Sequence, residues 1–215
     1  PRAGLRLRGG RRGRIRPRPR TGLTLPLASL TLGGRLLLTH LRPTPALLLP
    51  LRDGIAPGHF LVEVIDVGQG TAVLVRTANR TLLYDTGAAF ADSDSGERTI
   101  VPFLRASGVG ELSGLIVSHD DTDHTGGMRS LLRDVPTGWL LHGLPASSPL
   151  LDGAPPARRC VRGQRWTWDG VLFEVLNPRP AGDADSRRRD NDFSCVLRIG
   201  NARHSLLLTG DGERR

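Results

Sequence analysis

The sequence predicts a mixed α/β domain built of packed layers, and three observations predict it. Short runs rich in Val and Leu, separated by turn signals, recur in both halves of residues 60–215. Helical patterns lie between those runs. Two strand patterns also end on an aspartate with a glycine within two positions, Asp85 and Asp211, and the ends of buried strands are where layered α/β folds place their working loops.

The elements follow in chain order. The stretch "HFLVEVIDVGQGTAVLVRTANRTLLYDTG" predicts strands near 60–66, 71–77 and 81–85, broken at Gly68-Gln69-Gly70 and at Ala78-Asn79. "RTIVPFLRAS" predicts an amphipathic helix over 98–107, with Ile100, Phe103 and Leu104 on one face and Gly108 as its stop. A buried strand "GLIVS" comes next, then an acidic loop and a short helix from about Gly127 to Arg133. "RWTWDGVLFEVL" is a hairpin pattern turning at Asp169-Gly170, and "FSCVLRIGNARHSLLLTGD" is a strand pair turned at Gly200-Asn201. No repeat of solenoid period is present.

Charge divides the chain. Residues 1–59 carry twelve Arg against the single acid Asp53, a net of +11, while residues 60–215 carry eighteen Arg against twenty acids, a net of −2. The overall +9 therefore belongs to the first segment, and it is no argument for nucleic-acid binding by the domain. Nine Arg among residues 1–20, with Gly and Pro punctuation, predict poor order. The Leu-rich part that follows is interrupted by Pro26, Gly33, Gly34, Arg35, Arg42, Pro43 and Pro45, so neither a transmembrane helix nor a secretory signal is expected. Residues 1–59 read as an Arg/Pro/Leu-rich linker or juxtamembrane segment, and residues 60–215 as the domain. Cys160 and Cys195 lack a Cys-x-x-Cys partner, so no zinc knuckle or disulfide framework is indicated, and the spacing leaves a single disulfide open.

The chemistry is concentrated in "SHDDTDHTGG". Asp120, Asp121 and Asp123 crowd one loop, and their mutual repulsion needs solvent, a helix N-terminus or a cation to offset it. A cation accounts for more of the pattern, because His119, Asp121, Asp123 and His124 alternate and then pair, so that two donors can face one centre and two a second. Gly126 and Gly127 permit close backbone packing beneath the loop. Asp85, ending "TLLYD", and Asp211, ending "SLLLTGD", are further carboxylates at strand ends.

Taken together, "DVGQG", "LLYDTG", "SHDDTDHTGG", "NDFSCVL" and "LLLTGD" resemble the metallo-β-lactamase superfamily, and within it the C-terminal domain of the ComEC-type DNA-uptake channel proteins of bacterial competence. Most members have His-x-His-x-Asp-His in the loop; here Asp121 replaces the second His, as in the ComEC pattern. The resemblance implies an αββα sandwich. It implies that His119 and Asp121 ligate one metal, that Asp123 and His124 serve a second, that Asp211 bridges them, and that Asp85 supports the loop from behind. Asp123 and Asp211 are the implied catalytic carboxylates. Asn191, Asp192 and Ser194 stand where other members supply a further His, and contact with the substrate or with the ligands is expected of Asn191 and Ser194. No substrate-binding residue is otherwise assigned.

Two divalent ions are implied, with Mn2+ favoured over Zn2+ because three carboxylates outnumber two imidazoles. The implied reaction is hydrolysis of DNA phosphodiester bonds in the strand that is not imported. The implied partners are single-stranded DNA and the membrane-channel portion of the same protein, on the extracytoplasmic side of the inner membrane, with no obligate homo-oligomer. The sequence ends at "TGDGERR", before the helix, strand and His-containing motif that family members carry, so a C-terminally truncated, incomplete domain is expected. The alternatives are a hydrolase of small substrates and a catalytically incomplete DNA-binding module. Structural roles are expected for His142 and His204, packing or edge positions for Trp166 and Trp168, a solvated loop for Arg187, Arg188 and Arg189, and a tight turn at Gly68-Gln69-Gly70.

Overall fold

In the computed structural model, which describes residues 54–179 and 193–212, the first three Val/Leu runs form an antiparallel meander: β1 (Leu61–Val64), β2 (Val73–Arg76) and β3 (Thr81–Tyr84). Three parallel strands extend the same sheet: β4 (Gly114–Val117), β5 (Leu140–His142) and β6 (Ala157–Arg159). All four residues of β4 are buried, as expected for a parallel strand covered on both faces. The remaining strands make a separate antiparallel sheet of β7 (Arg165–Trp168), β8 (Val171–Asn177), β9 (Val196–Gly200) and β10 (Ser205–Leu208), in the order β10-β9-β8-β7.

The first predicted helix differs at its start. It opens with a π-helical turn, Gly96–Ile100, before continuing as α1 (Val101–Ala106), with Pro102 in its first turn and Gly108 at φ 60° closing it. The acidic loop contains a single helical turn, α2 (Thr122–Thr125), so Asp123 and His124 sit on helical backbone and not on open loop. The last predicted helix is α3 (Met128–Asp134).

Two cores define the layers. Leu83, Leu115, Val117 and Leu140 meet Ile100, Leu104, Met128 and Leu131 on the helical side of the six-stranded sheet. Val73, Leu82, Tyr84 and Ile116 meet Phe173, Val175, Leu197 and Ile199 between the two sheets. Three layers of an αββα sandwich, helix, sheet and sheet, are thus formed among the described residues. A disulfide, Cys160–Cys195, joins the residue after β6 to the segment entering β9 and so links the sheets covalently. Among the described residues no helix is long and apolar enough to cross a membrane. Residues 1–53, Arg187 to Arg189, Asn191 and Asp192 lie outside the described residues.

A second tie between the sheets is polar. Asp169, in the β7–β8 turn with φ 50°, accepts hydrogen bonds from Thr77 Oγ1 (2.6 Å), the Asn79 backbone N–H (2.8 Å) and Asn79 Nδ2 (2.9 Å) in the β2–β3 turn. The Thr77 bond first, then those from Asn79, hold its pKa below the ordinary carboxylate value. A depressed carboxylate stabilises the fold above its unfolded pKa and loses that contribution as pH falls through its folded one. Asp169→Ala is therefore expected to melt below the wild type at pH 7 in differential scanning calorimetry, with the gap closing as pH falls below about 3.9.

Candidate metal centre

The site forms where the two sheets end together. β3 and β4 run parallel with Tyr84 opposite Ile116, so Asp85 and the Ser118-His119 pair leave the sheet side by side. Asp85 has φ 60° and donates its N–H to the Ile116 carbonyl (2.8 Å). Asp tolerates this left-handed geometry better than most residues, and strain of this kind concentrates at working sites. Asp211 comes from the other sheet, after β10, through Gly210 at φ 52°. A Cβ on Gly210 would lie 2.8 Å from Ser118 Oγ and 3.4 Å from the Cβ of buried Ser194, so glycine is required for the approach.

Asp85 is fully buried and organises both imidazoles. It accepts the Ser118 N–H (2.6 Å), the Ser118 hydroxyl (2.8 Å) and His124 Nδ1–H (2.8 Å). Since the Ser118 proton points to Asp85, the 2.8 Å contact between Ser118 Oγ and His119 Nδ1 has the imidazole as donor. Both rings are thereby set with Nδ1 protonated and the Nε2 lone pair turned outward. There His124 Nε2 lies 3.2 Å from Asp211 Oδ1 and 4.0 Å from Asp123 Oδ1, and His119 Nε2 lies 3.0 Å from Asp121 Oδ2.

The donor set fits a cation. Outward imidazole lone pairs set against carboxylate oxygens repel unless a proton or a metal ion lies between them. One donor atom each from His119, His124 and Asp211 falls within 4.8 Å of the others. The imidazoles are almost fully buried, whereas the side chains of Asp121, Asp123 and Asp211 are 48, 34 and 47% exposed, so the carboxylates line the solvent side. Burial pushes Asp85 above the ordinary carboxylate range, although His124 and Ser118 pull against it. For His124, burial pulls down, but the bond to Asp85 and the charges of Asp85, Asp211 and Asp123 outweigh it and raise the pKa. Behind the site, the Tyr84 hydroxyl donates to the Cys195 carbonyl (2.8 Å), and burial raises its pKa far above the usual value.

Of the residues singled out in the sequence, His119, His124, Asp211, Asp121, Asp123 and Asp85 come together, and Ser194 lies buried beside Ser118. His142 is buried on β5, its pKa pulled below the usual imidazole value by burial and then by the Arg159 charge, and His204 is exposed in the β9–β10 turn; neither joins the cluster. Sequence reasoning missed Ser118, which relays Asp85 to His119, and Thr86, whose hydroxyl and N–H both donate to the His124 carbonyl (2.9 and 2.8 Å). Ser118 stands next to His119 in the acidic stretch, but a lone hydroxyl carries no periodic signal.

The "GQG" turn is part of the site rather than a plain turn. Gly70, at φ 95°, lies against the Asp123 carbonyl, with which a Cβ would collide, and Thr71 N–H donates to that same carbonyl (3.2 Å). Gly70→Ala is expected to displace Asp123 and to weaken metal binding by about tenfold or more, the scale of lost support behind a ligand. Isothermal titration with Mn2+ or Zn2+ checks this, and unchanged affinity would show that Asp123's backbone position is irrelevant to the metal.

A helix–sheet–sheet sandwich with a His/Asp loop at the sheet ends defines a class, and a family model for the metallo-beta-lactamase superfamily matches residues 65–197. The chain belongs to that superfamily, as the motif series implied. It is 41% identical over 197 residues to the competence protein ComA of Neisseria gonorrhoeae, covering 87% of this chain and 26% of that protein. It is also 36% identical over 154 residues to recombination protein 2 of Haemophilus influenzae (72% and 18% covered). The ComE operon protein 3 of Bacillus subtilis is 30% identical over 177 residues (71% and 22% covered). The chain thus spans about a quarter or less of the length of these relatives. Among solved structures, a metallo-beta-lactamase of Cronobacter sakazakii with a HARLDQ motif superposes with a TM-score of 0.49 at 18% identity, covering 73% of this chain and 60% of that one.

Proposed function

We propose that this chain is the metal-dependent hydrolase domain of a ComEC-type DNA-uptake protein, which hydrolyses phosphodiester bonds of the non-imported strand during natural transformation. The convergence of His119, His124 and Asp211 within one ligand-sized space carries the reading. His119, Asp121, Asp123, His124 and Asp211 would hold two divalent ions, with Mn2+ favoured over Zn2+ by the three carboxylates. Such ions, when bound, activate a water and stabilise the leaving oxygen of a phosphodiester. The chain's own residues do the remaining work. Asp85 and Ser118 hold both imidazoles in the ligating tautomer, Asp123 and Asp211 hold and orient the nucleophile from the solvent side, and Ser194 contributes a hydroxyl beside Ser118.

The names of two relatives, a competence protein and a recombination protein, support DNA as substrate. The Cys160–Cys195 disulfide supports an oxidising compartment, and hence placement on the extracytoplasmic face of the inner membrane beside the channel portion of the same protein. In this reading the domain begins near residue 60, after an Arg/Pro/Leu-rich linker or juxtamembrane segment. The test is cleavage of labelled single-stranded DNA with added Mn2+ or Zn2+. Cleavage by the chain that vanishes in Asp123→Ala supports the proposal. Folded protein with metal bound and no cleavage under either ion overturns it in favour of a small-substrate hydrolase or a DNA-binding module.

A further inference from the structure

All three tryptophans of the chain meet in one groove, although Trp139 is 27 and 29 residues from Trp166 and Trp168 in sequence. The groove, of about 500 Å³, opens where the terminal strands of both sheets, β6 and β7, lie on the same side of the sandwich, and Arg158, Gln164 and Arg165 complete its wall. The indoles make a cluster of tilted and edge contacts: Trp139 to Trp166 at 5.4 Å, Trp139 to Trp168 at 5.8 Å, and Trp166 to Trp168 at 5.9 Å between centroids. Trp166 also stacks on buried Phe173 (5.2 Å, 8° between planes), which holds it rigidly from behind. All three remain partly exposed.

The charge around this groove is mainly basic: the acid opposite Arg165 in the β7–β8 register, Glu174, is itself paired with Arg198. Between Asp152 and Asp169 the sequence carries Arg158, Arg159, Arg162 and Arg165 and no acid. Each of these arginines is exposed, and none has a carboxylate partner among the described residues. Arg76 and Arg133, by contrast, are held by Glu63 and Asp134. An unpaired basic rim around partly exposed, rigidly backed indoles selects a ligand that is both polyanionic and aromatic. Unpaired nucleotides meet both demands, with phosphates on the arginines and bases on the indole faces. Duplex DNA meets only the first, because its bases are stacked on one another.

We infer that the Trp139/Trp166/Trp168 groove with Arg158 and Arg165 is a binding platform for single-stranded DNA, separate from the metal loop. The inference rests on the reading that the domain's substrate is single-stranded DNA. Trp139 stands just before β5, and the other end of β5 reaches Gly143, packed against the Ser118 carbonyl next to His119. At ~3.3 Å per strand residue, roughly 10–13 Å separates groove from metal loop. A bound strand would thereby be held close to the site that cuts it.

Intrinsic fluorescence tests this directly, since every tryptophan of the chain lines the groove. The chain is titrated with oligothymidylate in EDTA, so that nothing is cleaved, and the Arg158→Glu/Arg165→Glu variant is titrated in parallel after its melting temperature shows it is folded. The expected result is saturable quenching that weakens steeply with salt and whose apparent affinity falls by about tenfold or more in the variant. The basic residues of the N-terminal segment are the same in both proteins, so a difference between variant and wild type reports on the groove. Cleavage with Mn2+ but no emission response overturns the groove and leaves the nuclease reading standing. Quenching that is equal in the variant and the wild type also overturns it. Quenching lost in the variant, with no cleavage under any metal, upholds the groove and sinks the hydrolytic reading.

Discussion

Asp211→Ala is expected to abolish metal binding while leaving the metal-free fold intact. Asp211 is the most exposed member of the converging trio, 47% open at its side chain, and its Oδ1 meets the protein at His124 Nε2 across 3.2 Å. Removing it takes away a proposed ligand without opening the core, so the melting temperature in EDTA is expected to stay near that of the wild type, while affinity for Mn2+ or Zn2+ is expected to fall by more than about 100-fold, beyond the scale of outer-partner losses. The metal-induced rise in melting temperature, a linkage effect of binding to the folded state, disappears with it. His124→Ala supplies the contrast. It removes the imidazole partner of a fully buried carboxylate, leaving Asp85 only its bonds from Ser118, and that loss is expected to cost about 3–5 kcal/mol even without metal. Calorimetric titration and thermal melting in EDTA separate the two. Wild-type metal affinity in Asp211→Ala would rule out Asp211 as a ligand, whatever its position.

Losing the Cys160–Cys195 bridge carries the second large effect. The bond closes a loop across 35 positions and ties the six-stranded sheet to the four-stranded one. Constraint of the unfolded chain by a loop of that size contributes about 3–4 kcal/mol, which is on the order of 10 °C in melting temperature for a domain of this length. The Cys160→Ala/Cys195→Ala variant is expected to show that fall. It should also lose metal affinity, because Cys195 holds the site's rear wall: its N–H donates to the Ser118 carbonyl (2.9 Å) and its carbonyl accepts from Tyr84. The reduced wild type should match the variant. Two titratable thiols in the native protein, or identical melting with and without reductant, would remove the bridge from the account.

Much of the fold was legible because its signals are local. The meander β1 to β3, the buried β4, the hairpin at Asp169-Gly170 and the β9–β10 pair all show in runs of Val and Leu bounded by turn residues. The strands β5 and β6 did not. β5 is three residues in a short apolar run, and β6, "ARR", is exposed throughout and has no apolar pattern at all. Its only cause is the unpaired edge that β5 offers. The π-helical turn before α1 was equally silent, since it follows from the close packing of Gly96 on Gly127 and Ser130, contacts more than 30 residues away.

The candidate site divides in the same manner. By itself, the sequence determined the donor types, their order in "SHDDTDH" and the strand-end positions of Asp85 and Asp211, because residue chemistry and short-range periodicity are written in neighbouring letters. Only the tertiary structure decided that Asp85 and Asp211 arrive from different sheets, that Ser118 links one buried carboxylate to two imidazoles, that Cys160 and Cys195 pair, and that three distant tryptophans share one groove. Each of these depends on the register between strands remote in sequence, set by burial summed over two whole cores, and no short stretch of residues carries that sum.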